Sequence, residues 1–325
     1  MKKIISSLLI STIIVLFTSG CKSKTEPISK TGFMLNTVVS VTVYNDEDAK
    51  YLDGALELCK GYEAMLSRTV EGSDIYKINN SNGQTVTVSE ETAQLISKAI
   101  YYCKLSGGAF DITTAHISDL WNFSGEAPSV PNDDAIAQAL KWVDYTVISV
   151  EGCNVTLPKG YAIDLGAIAK GYIADRLVQY FEQNGVQNAI IDLGGNICVV
   201  GSKGENGYKI GIRSPFDGQS TMGYVNCSNM SVVTSGTYER CFEQDGRLYH
   251  HILDTKTGMP ANTGLVSVSI VASHSVDADA LSTTCLLLGA EKGIELLEGI
   301  DGAEGIFIAS DGEILTTTGA AFIQA

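Results

Sequence analysis

Basic residues are scarce in this chain, and their scarcity limits the partners that it can have. Its 22 lysines and arginines stand against 37 aspartates and glutamates, for a formal net charge of -15. Binding to phosphate backbones requires clustered Lys and Arg, so this balance argues against a nucleic-acid-binding protein. It is typical of a soluble, self-repelling surface.

Paired cysteines are also missing. Apart from Cys21, the cysteines are scattered, odd in number and include no Cys-x-x-Cys pair. This argues against a disulfide framework and against a zinc site. The chain has no internal repeat, low-complexity tract or long linker, and 45% of its 325 residues are hydrophobic. We therefore expect one compact mature domain.

The apolar run at the N-terminus, residues 4–17, is too short to span a membrane in a mature protein. Two lysines precede it, which is the pattern of a signal peptide. Ser19 and Gly20 directly before Cys21 resemble a bacterial lipobox, in which the cysteine is diacylated and becomes the new N-terminus. A plain secretory signal is the alternative.

These features predict three segments: a signal peptide over 1–20, a lipid-anchored tether over 21–30 and a single domain over 31–325. Two acyl chains on Cys21 would give stable anchoring where one would not. The expected location is extracytoplasmic, on the cell membrane or, in a two-membrane cell, on the outer membrane.

Strand and helix patterns alternate irregularly along the rest of the chain. Residues 37–45 alternate valine with polar residues, as in a half-buried strand, and residues 50–66 have the spacing of an amphipathic helix. Ser89 is expected to cap a further helix that ends before Gly107. Such strand-rich stretches, mixed with helices and joined by hairpin-like turns, predict an α+β fold with mixed, largely antiparallel sheets and packed helices.

The stretch DLGAIAKG, residues 164–171, is a candidate anion site. A strand that ends at Ile163 and a helix that begins near Gly166 would aim backbone N–H groups beyond the strand, and Lys170 would add a positive charge. The pattern G-x-x-x-x-G-K-[ST] is not matched. From these residues alone, phosphate binding and close packing of the glycines both remain open.

A second candidate is DADALSTTCLLLG, which begins at residue 277. Asp279 and Thr283 are expected to share a face on the first turn of a helix, where a carboxylate and a hydroxyl suit magnesium or calcium. Alternatively, Asp279 is an acid favoured by the helix dipole and Thr283 faces solvent. His250 and His251 follow each other on a predicted strand, so at most one of them is expected to face a given site.

Taken together, a glycine-and-lysine helix start, a magnesium-like pair and glycine-rich turns fit a phosphate ester or pyrophosphate with a divalent cation. Eight motifs carry a more specific resemblance. In chain order they are GFMLNT, LSRTVEGSDIYKIN, GGAFDIT, DLGAIAKGYIAD, IDLGGNI, TSGTYER, HHILDTKTG and ADALSTTCLLLG. In this order and spacing they resemble the ApbE-type flavin transferases, or FAD:protein FMN transferases, over nearly all of the mature chain.

The resemblance implies an active site in a cleft between two lobes. It implies that FMN is transferred from FAD to a threonine or serine of an acceptor protein, with release of AMP. The implied FAD contacts are Met34, Ala109, Phe110, Asp111, Asp164, Lys170 and Leu253. The implied Mg²⁺ ligands are Ala167 through its carbonyl, Asp279, Ser282 and Thr283. The implied catalytic residues are Lys170, His251 and Asp279.

The usual acceptors in such a family are flavin-carrying subunits of membrane redox complexes. Two other functions fit the same residues. One is a pyrophosphatase that splits FAD into FMN and AMP, with water in place of the acceptor. The other is a lipid-anchored protein that only binds FAD, although a carrier has no need of a cation at the pyrophosphate.

Replacing Cys21 with alanine tests the lipid anchor. Without the thiol there is no acylation site, so we expect Cys21→Ala to move from the membrane fraction to the soluble extracytoplasmic fraction. Fractionation of cells that express parent and variant measures this, and a membrane-bound variant would contradict the lipobox interpretation.

Overall fold

The structure is a computed structural model that describes residues 26–123, 125 and 127–325, so the predicted signal peptide and Cys21 lie outside the described residues. The α-helices are α1 (Leu52–Leu66), α2 (Asp74–Asn79), α3 (Glu90–Leu105), α4 (Ala115–Trp121), α5 (Asp133–Ala139), α6 (Ala169–Gln183), α7 (Ser275–Leu288) and α8 (Ala290–Glu298). The strands are β1 (Ile28–Met34), β2 (Thr37–Val43), β3 (Val86–Thr87), β4 (Ser149–Glu151), β5 (Asn154–Thr156), β6 (Ala189–Asp192), β7 (Asn196–Val200), β8 (Tyr208–Arg213), β9 (Thr221–Cys227), β10 (Ser231–Gly236), β11 (Cys241–Gln244), β12 (Arg247–His250), β13 (Leu265–Ala272), β14 (Ala303–Ala309), β15 (Ile314–Thr316) and β16 (Phe322–Gln324).

The largest sheet has eight strands in the order β1-β2-β6-β7-β10-β13-β14-β15, and every neighbouring pair is antiparallel. Strand β2 shows why the sequence forms it. Val39, Val41 and Val43 are fully buried, whereas Val38 is exposed, which is the two-residue period of a strand with one face in the core. The predicted α+β fold with largely antiparallel sheets is confirmed.

The two faces of this sheet pack against different layers. Neighbouring residues such as Val199 and Val200, or Ile306 and Phe307, belong to separate apolar clusters, because successive side chains of a strand point to opposite faces. Helices α1, α3, α6 and α7 pack on one face, and the sheet of β8, β9 and β16 packs on the other. A third cluster around Trp121 joins α4 and α5 to the β11–β12 hairpin.

Helices α6 and α7 are in close contact at Gly171. A Cβ atom on Gly171 would lie 2.3 Å from the Ser275 carbonyl oxygen and 2.7 Å from the Asp279 Cβ. The contact lets the Gly171 N–H donate to Asp279 Oδ2 at 2.8 Å. In return, Asp175 of α6 accepts hydrogen bonds from the Ser275 and Val276 N–H groups at 2.7 and 3.0 Å. Each helix therefore supplies a carboxylate to N–H groups in the first turn of the other, which have no partner within their own helix.

The predicted cap of α3 is confirmed, whereas the segment predicted as a tether overlaps the first strand. Ser89 caps α3, because its Oγ accepts a hydrogen bond from the Thr92 N–H at 3.1 Å. The seven cysteines of the described part are all free. Strand β1 begins at Ile28, inside the segment predicted as a tether, and pairs with β2 along its whole length. Within the described residues, no helix combines the length and hydrophobicity required to cross a membrane.

Three boundaries near the candidate site were wrong. No strand ends at Ile163, whose backbone N–H and carbonyl are bonded instead by the side chain of Asn79, at 2.8 and 2.9 Å. Helix α6 begins at Ala169, after the turn that contains Gly166. Helix α7 begins at Ser275, so Asp279 lies beyond its first turn. The early start was missed because its N-terminal amides are capped by Asp175, a residue distant in sequence.

Substituting Gly171 tests the contact between α6 and α7. An added methyl group has no space, so Gly171→Ala should force the helices apart and lower the free energy of unfolding by about 1–3 kcal/mol. Urea denaturation measures the loss. Gly61 of α1 is the matched control because nothing lies within 4 Å of its added Cβ. Gly61→Ala should be neutral or stabilising by up to about 1 kcal/mol. Equal effects of the two substitutions would contradict the close contact.

Candidate active site

A cleft of about 440 Å³ lies where α6, α7 and β10 meet the segment after α3 and the turn between β1 and β2. This volume is within the range of small-molecule sites. Most of the residues predicted from the sequence line it together: Ala109, Phe110, Asp111, Asp164, Ala167, Lys170, His251, Leu253, Asp279 and Thr283. Met34 and Ser282 are not among the lining residues.

The turn before α6 is fixed by Asp164. Its Oδ1 accepts a hydrogen bond from the Gly166 N–H at 2.8 Å, and its Oδ2 lies 2.8 Å from Arg68 Nε. The same guanidinium bonds Asp119 of α4 through Nη2 at 2.6 Å. Arg68 therefore connects the turn before α6 to helix α4 across the cleft. Ala167 lies in the same turn as Asp164.

Asp111 lines the cleft next to Ala109 and Phe110, and hydrogen bonds fix its carboxylate. Its Oδ1 accepts hydrogen bonds from the Thr113 N–H at 2.7 Å and the Thr113 hydroxyl at 2.6 Å, and its Oδ2 accepts one from the Tyr145 N–H at 3.1 Å. Burial raises the pKa of the Asp111 carboxyl, and these hydrogen bonds oppose the rise.

Across the cleft, Asp279 and Thr283 occupy one face of α7. Burial raises the pKa of the Asp279 carboxyl, whereas Lys170 and the Gly171 N–H lower it. Thr283 Oγ1 lies 3.1 Å from Ser235 Oγ of β10. The cleft therefore combines a buried carboxylate, a hydroxyl and a nearby ammonium group, all within reach of one bound anion or cation.

Ser282 is placed differently from the other predicted ligands. Its side chain is fully buried; its Oγ donates to the Asp279 carbonyl at 2.9 Å and lies 2.8 Å from Ser235 Oγ. The Thr283 hydroxyl lies 3.1 Å from the same Ser235 oxygen, but Thr283 lines the cleft and Ser282 does not. Ser282 therefore connects α7 to β10 behind the residues that line the cleft.

Only His251 faces the cleft, as expected, although β12 ends at His250 and His251 follows the strand. His251 lines the cleft, and its backbone N–H donates to the Arg240 carbonyl at 3.0 Å. His250 is buried outside the cleft, with Nε2 3.0 Å from the Ala261 carbonyl oxygen. Burial, followed by the charge of Arg240, lowers the pKa of His251 to about 3, so its imidazole is neutral near pH 7.

Met34 is 4% exposed and belongs to the core, whereas the next residues, Leu35 and Asn36, line the cleft. Both adopt left-handed backbone angles in the turn between β1 and β2. The Leu35 N–H donates to Glu63 Oε1 of α1 at 2.7 Å. The turn therefore reaches the cleft one residue later than the motif implied.

Five charged residues of the cleft were not predicted from the sequence: Glu63, Arg68, Asp119, Glu239 and Arg240. Arg68 lies in the motif LSRTVEGSDIYKIN, and Glu239 and Arg240 lie in TSGTYER, so a charge inside a quoted motif was the available signal for these three. In the described part of the chain there is no cluster of three or more His, Cys, Asp or Glu side chains suited to a metal ion. Any metal here would be held by fewer than three such side chains, together with hydroxyl and carbonyl oxygens.

Comparison with known proteins supports the same interpretation. The sequence pattern of the ApbE family matches residues 35–307. The FAD:protein FMN transferase of Treponema pallidum is 36% identical over 92% of this chain and 89% of its own length. A protein of the same name from Klebsiella pneumoniae is 35% identical over 89% of this chain and 92% of its own.

Solved structures agree in fold. The ApbE protein of Thermotoga maritima superposes with a TM-score of 0.83 at 33% identity and covers 90% of this chain and 97% of its own. The flavin transferase ApbE of Vibrio cholerae gives a TM-score of 0.81 at 25% identity, with the same coverage. The chain therefore belongs to the ApbE family and is a transferase, as the eight motifs predict.

Proposed function

We propose that this protein transfers the FMN part of FAD to a threonine or serine hydroxyl of an acceptor protein, releases AMP and requires Mg²⁺. The observation that carries the proposal is the position of Lys170 beside Asp279 in one cleft, where Lys170 influences the Asp279 carboxyl electrostatically. The names of the relatives support FAD as the donor and a protein as the acceptor.

The cleft residues fit magnesium in chemical type. Asp279, Thr283 and the carbonyl of Ala167 offer hard oxygen ligands, which Mg²⁺ prefers, and one carboxylate leaves room for substrate phosphates and water. Asp279 uses Oδ2 for the Gly171 N–H, and no described residue donates a hydrogen bond to its Oδ1. When bound, Mg²⁺ would neutralise charge on the pyrophosphate.

Lys170 is expected to act on the same pyrophosphate. It lies in the first turn of α6, where the helix dipole also favours an anion. A positive charge held there stabilises the charge that develops on the leaving AMP oxygen. The FAD contacts implied by the motifs, Ala109, Phe110, Asp111, Asp164 and Leu253, line the same cleft. Met34 would contribute to FAD binding indirectly, by packing in the core beneath the turn of Leu35 and Asn36 that lines the cleft.

We also propose an extracytoplasmic protein that is anchored through Cys21. Its acceptors would then be flavin-carrying subunits of membrane redox complexes. The lipobox resemblance supports the anchor.

Asp279→Asn tests the metal site. The amide is close in shape and its oxygen can still accept the Gly171 N–H, so the variant avoids the cost of about 1–3 kcal/mol for an unpaired buried donor. Without the carboxylate charge, the magnesium concentration for half-maximal FMN transfer should rise at least tenfold. Transfer to an acceptor, followed by flavin fluorescence in gels, gives this curve.

Asp277→Asn is the matched control, because Asp277 lies on the same helix but pairs with Lys98 at 2.7 Å outside the cleft. It should keep the parent's magnesium curve. If Asp279→Asn also keeps that curve, the ion binds elsewhere and the proposed role of Asp279 is wrong.

Lys170→Ala tests the phosphate contact. A charge that matters most in the transition state affects turnover more than ground-state binding. We expect kcat to fall by about 10²–10³-fold, as for other single stabilising groups, while the Kd for FAD rises less than tenfold. Single-turnover kinetics and FAD fluorescence titration separate the two quantities. A parent-like rate in a folded variant would assign Lys170 to ordinary surface charge.

A further inference from the structure

Strand β1 forms one edge of the eight-stranded sheet, and the outer side of this edge is open. Its seven residues pair with β2 on one side, and no strand of the described part of the chain pairs on the other. Ser29, Thr31 and Phe33 are exposed. At the opposite edge of the sheet, β15 has only three residues. Long exposed edge strands pair readily with other chains, so β1 offers a site for such pairing.

The turn between β1 and β2 determines which backbone groups of β1 point outward. Its two residues have φ angles of 55° and 56°, which is the mark of a type I′ turn. The residues on either side of it, Met34 and Thr37, therefore bond each other. Because bonded and non-bonded pairs alternate, Phe33, Thr31 and Ser29 direct their N–H and C=O groups away from β2. Among the residues that the structure describes, none bonds these outward groups.

An exposed apolar pair lies beside this edge. Phe33 and Val38 are directly opposite each other on β1 and β2 and are 77% and 60% exposed. They form a non-bonded pair, in which side chains approach closely. Neither belongs to the apolar cluster that packs the second sheet on this face of the large sheet. The pair therefore offers an apolar surface to a residue of any strand added next to Phe33.

The open edge leads directly to the candidate active site. Leu35 and Asn36, which follow β1, line the cleft together with Arg68 and Thr69. Phe33 is two positions before Leu35. An extended chain advances by about 3.3 Å per residue. A segment that pairs with β1 as far as Phe33 would thus reach the cleft within a few further residues.

We propose that the outer edge of β1 binds an extended segment of the acceptor protein as an additional strand, an inference that rests on the proposed function. The segment contains the threonine or serine that receives FMN. Its main chain bonds the outward groups of Ser29, Thr31 and Phe33, and an apolar side chain packs on Phe33 and Val38. In strand addition, main-chain hydrogen bonds give affinity and alternate side chains give specificity. The acceptor is the partner that the reaction brings to this cleft, whereas a second copy of this chain has no part in it.

The charge on β1 does not oppose this pairing. A lysine on an edge strand often prevents pairing with another chain. Lys30 Nζ instead lies 2.5 Å from Asp53 Oδ1 of α1, on the face of β1 opposite to Phe33. The three residues whose backbone groups point outward are uncharged. Pairing therefore desolvates no charged group among them.

Thr31→Pro tests the strand pairing. Proline removes an N–H that points outward, so the bonds between β1 and β2 remain. The KM for the acceptor should rise about tenfold, as expected for the loss of a main-chain bond, while the Kd for FAD stays unchanged. Thr31→Val is the matched control, because it keeps the N–H and loses only the hydroxyl. It should keep the parent's KM, and thermal unfolding verifies that both variants are folded.

Phe33→Ser tests the apolar pair. Loss of the ring should raise the KM for the acceptor about tenfold and leave kcat at saturating acceptor close to that of the parent. Phe216→Ser is the matched control. Phe216 is 53% exposed in the loop between β8 and β9 and does not line the cleft. Its substitution should not change the KM.

The kinetics use the full chain and two substrates. One is a flavin-carrying subunit of a membrane redox complex. The other is a peptide that contains the modified residue of that subunit with seven residues on either side, the length of β1. The peptide should accept FMN, and both substitutions should raise its KM as they do for the whole subunit.

Three results would overturn the proposal. The first is a parent-like KM in both Thr31→Pro and Phe33→Ser. The second is a parent that sediments as a dimer and a Thr31→Pro variant that sediments as a monomer with the parent's KM, which would assign the edge to a second copy. The third is a Phe33→Ser variant that loses binding to phosphatidylglycerol vesicles but keeps the KM, which would assign the pair to lipid. If the parent transfers no FMN, the proposed function fails instead. Fluorescence polarisation of the labelled peptide requires no turnover and still tests the edge.

Discussion

The site depends on the hydrogen bond between the Gly171 N–H and the Asp279 carboxylate. It forms only because α6 and α7 approach so closely that no side chain fits between them at Gly171. The contact places the first turn of α6, with Lys170, against the face of α7 that carries Asp279 and Thr283. Both charged groups are thus positioned by backbone packing, which limits the reorganisation needed when substrate binds. Asp175 reinforces the geometry from the other direction by capping α7.

Most of the fold was predictable from the sequence because its strands and helices have clear periods. Strand β2 shows alternation, and Ser89 is a strong cap before α3. The failures occurred where a distant residue replaces a local signal. The sequence before Ile163 resembles a strand, but the hydrogen-bonding groups of the Ile163 backbone are bonded by the side chain of Asn79 and not by a neighbouring strand. The start of α7 is capped by Asp175 from another helix, and no local pattern predicts such a partner.

The site was predictable to a similar extent, because motif residues that bind one ligand must converge. Ten of the predicted residues line one cleft. The motif predicted Ser282 and Thr283 equally as metal ligands, and only the structure shows that Thr283 lines the cleft and Ser282 does not. Glu239 was missed because the sequence alone does not show that this acid shares a cleft with Lys170.

If Cys21 carries a lipid anchor, as proposed, the early start of β1 limits how far the domain can lie from the membrane. In that case Ile28 is seven positions further along the chain than Cys21, and a fully extended chain spans at most about 3.6 Å per residue. The folded domain then begins no more than about 25 Å from the bilayer surface. Acceptors within this shell are met at a high effective concentration, whereas a hydroxyl held far above the surface is out of reach. Selection among acceptors would then depend on height above the membrane as well as on binding.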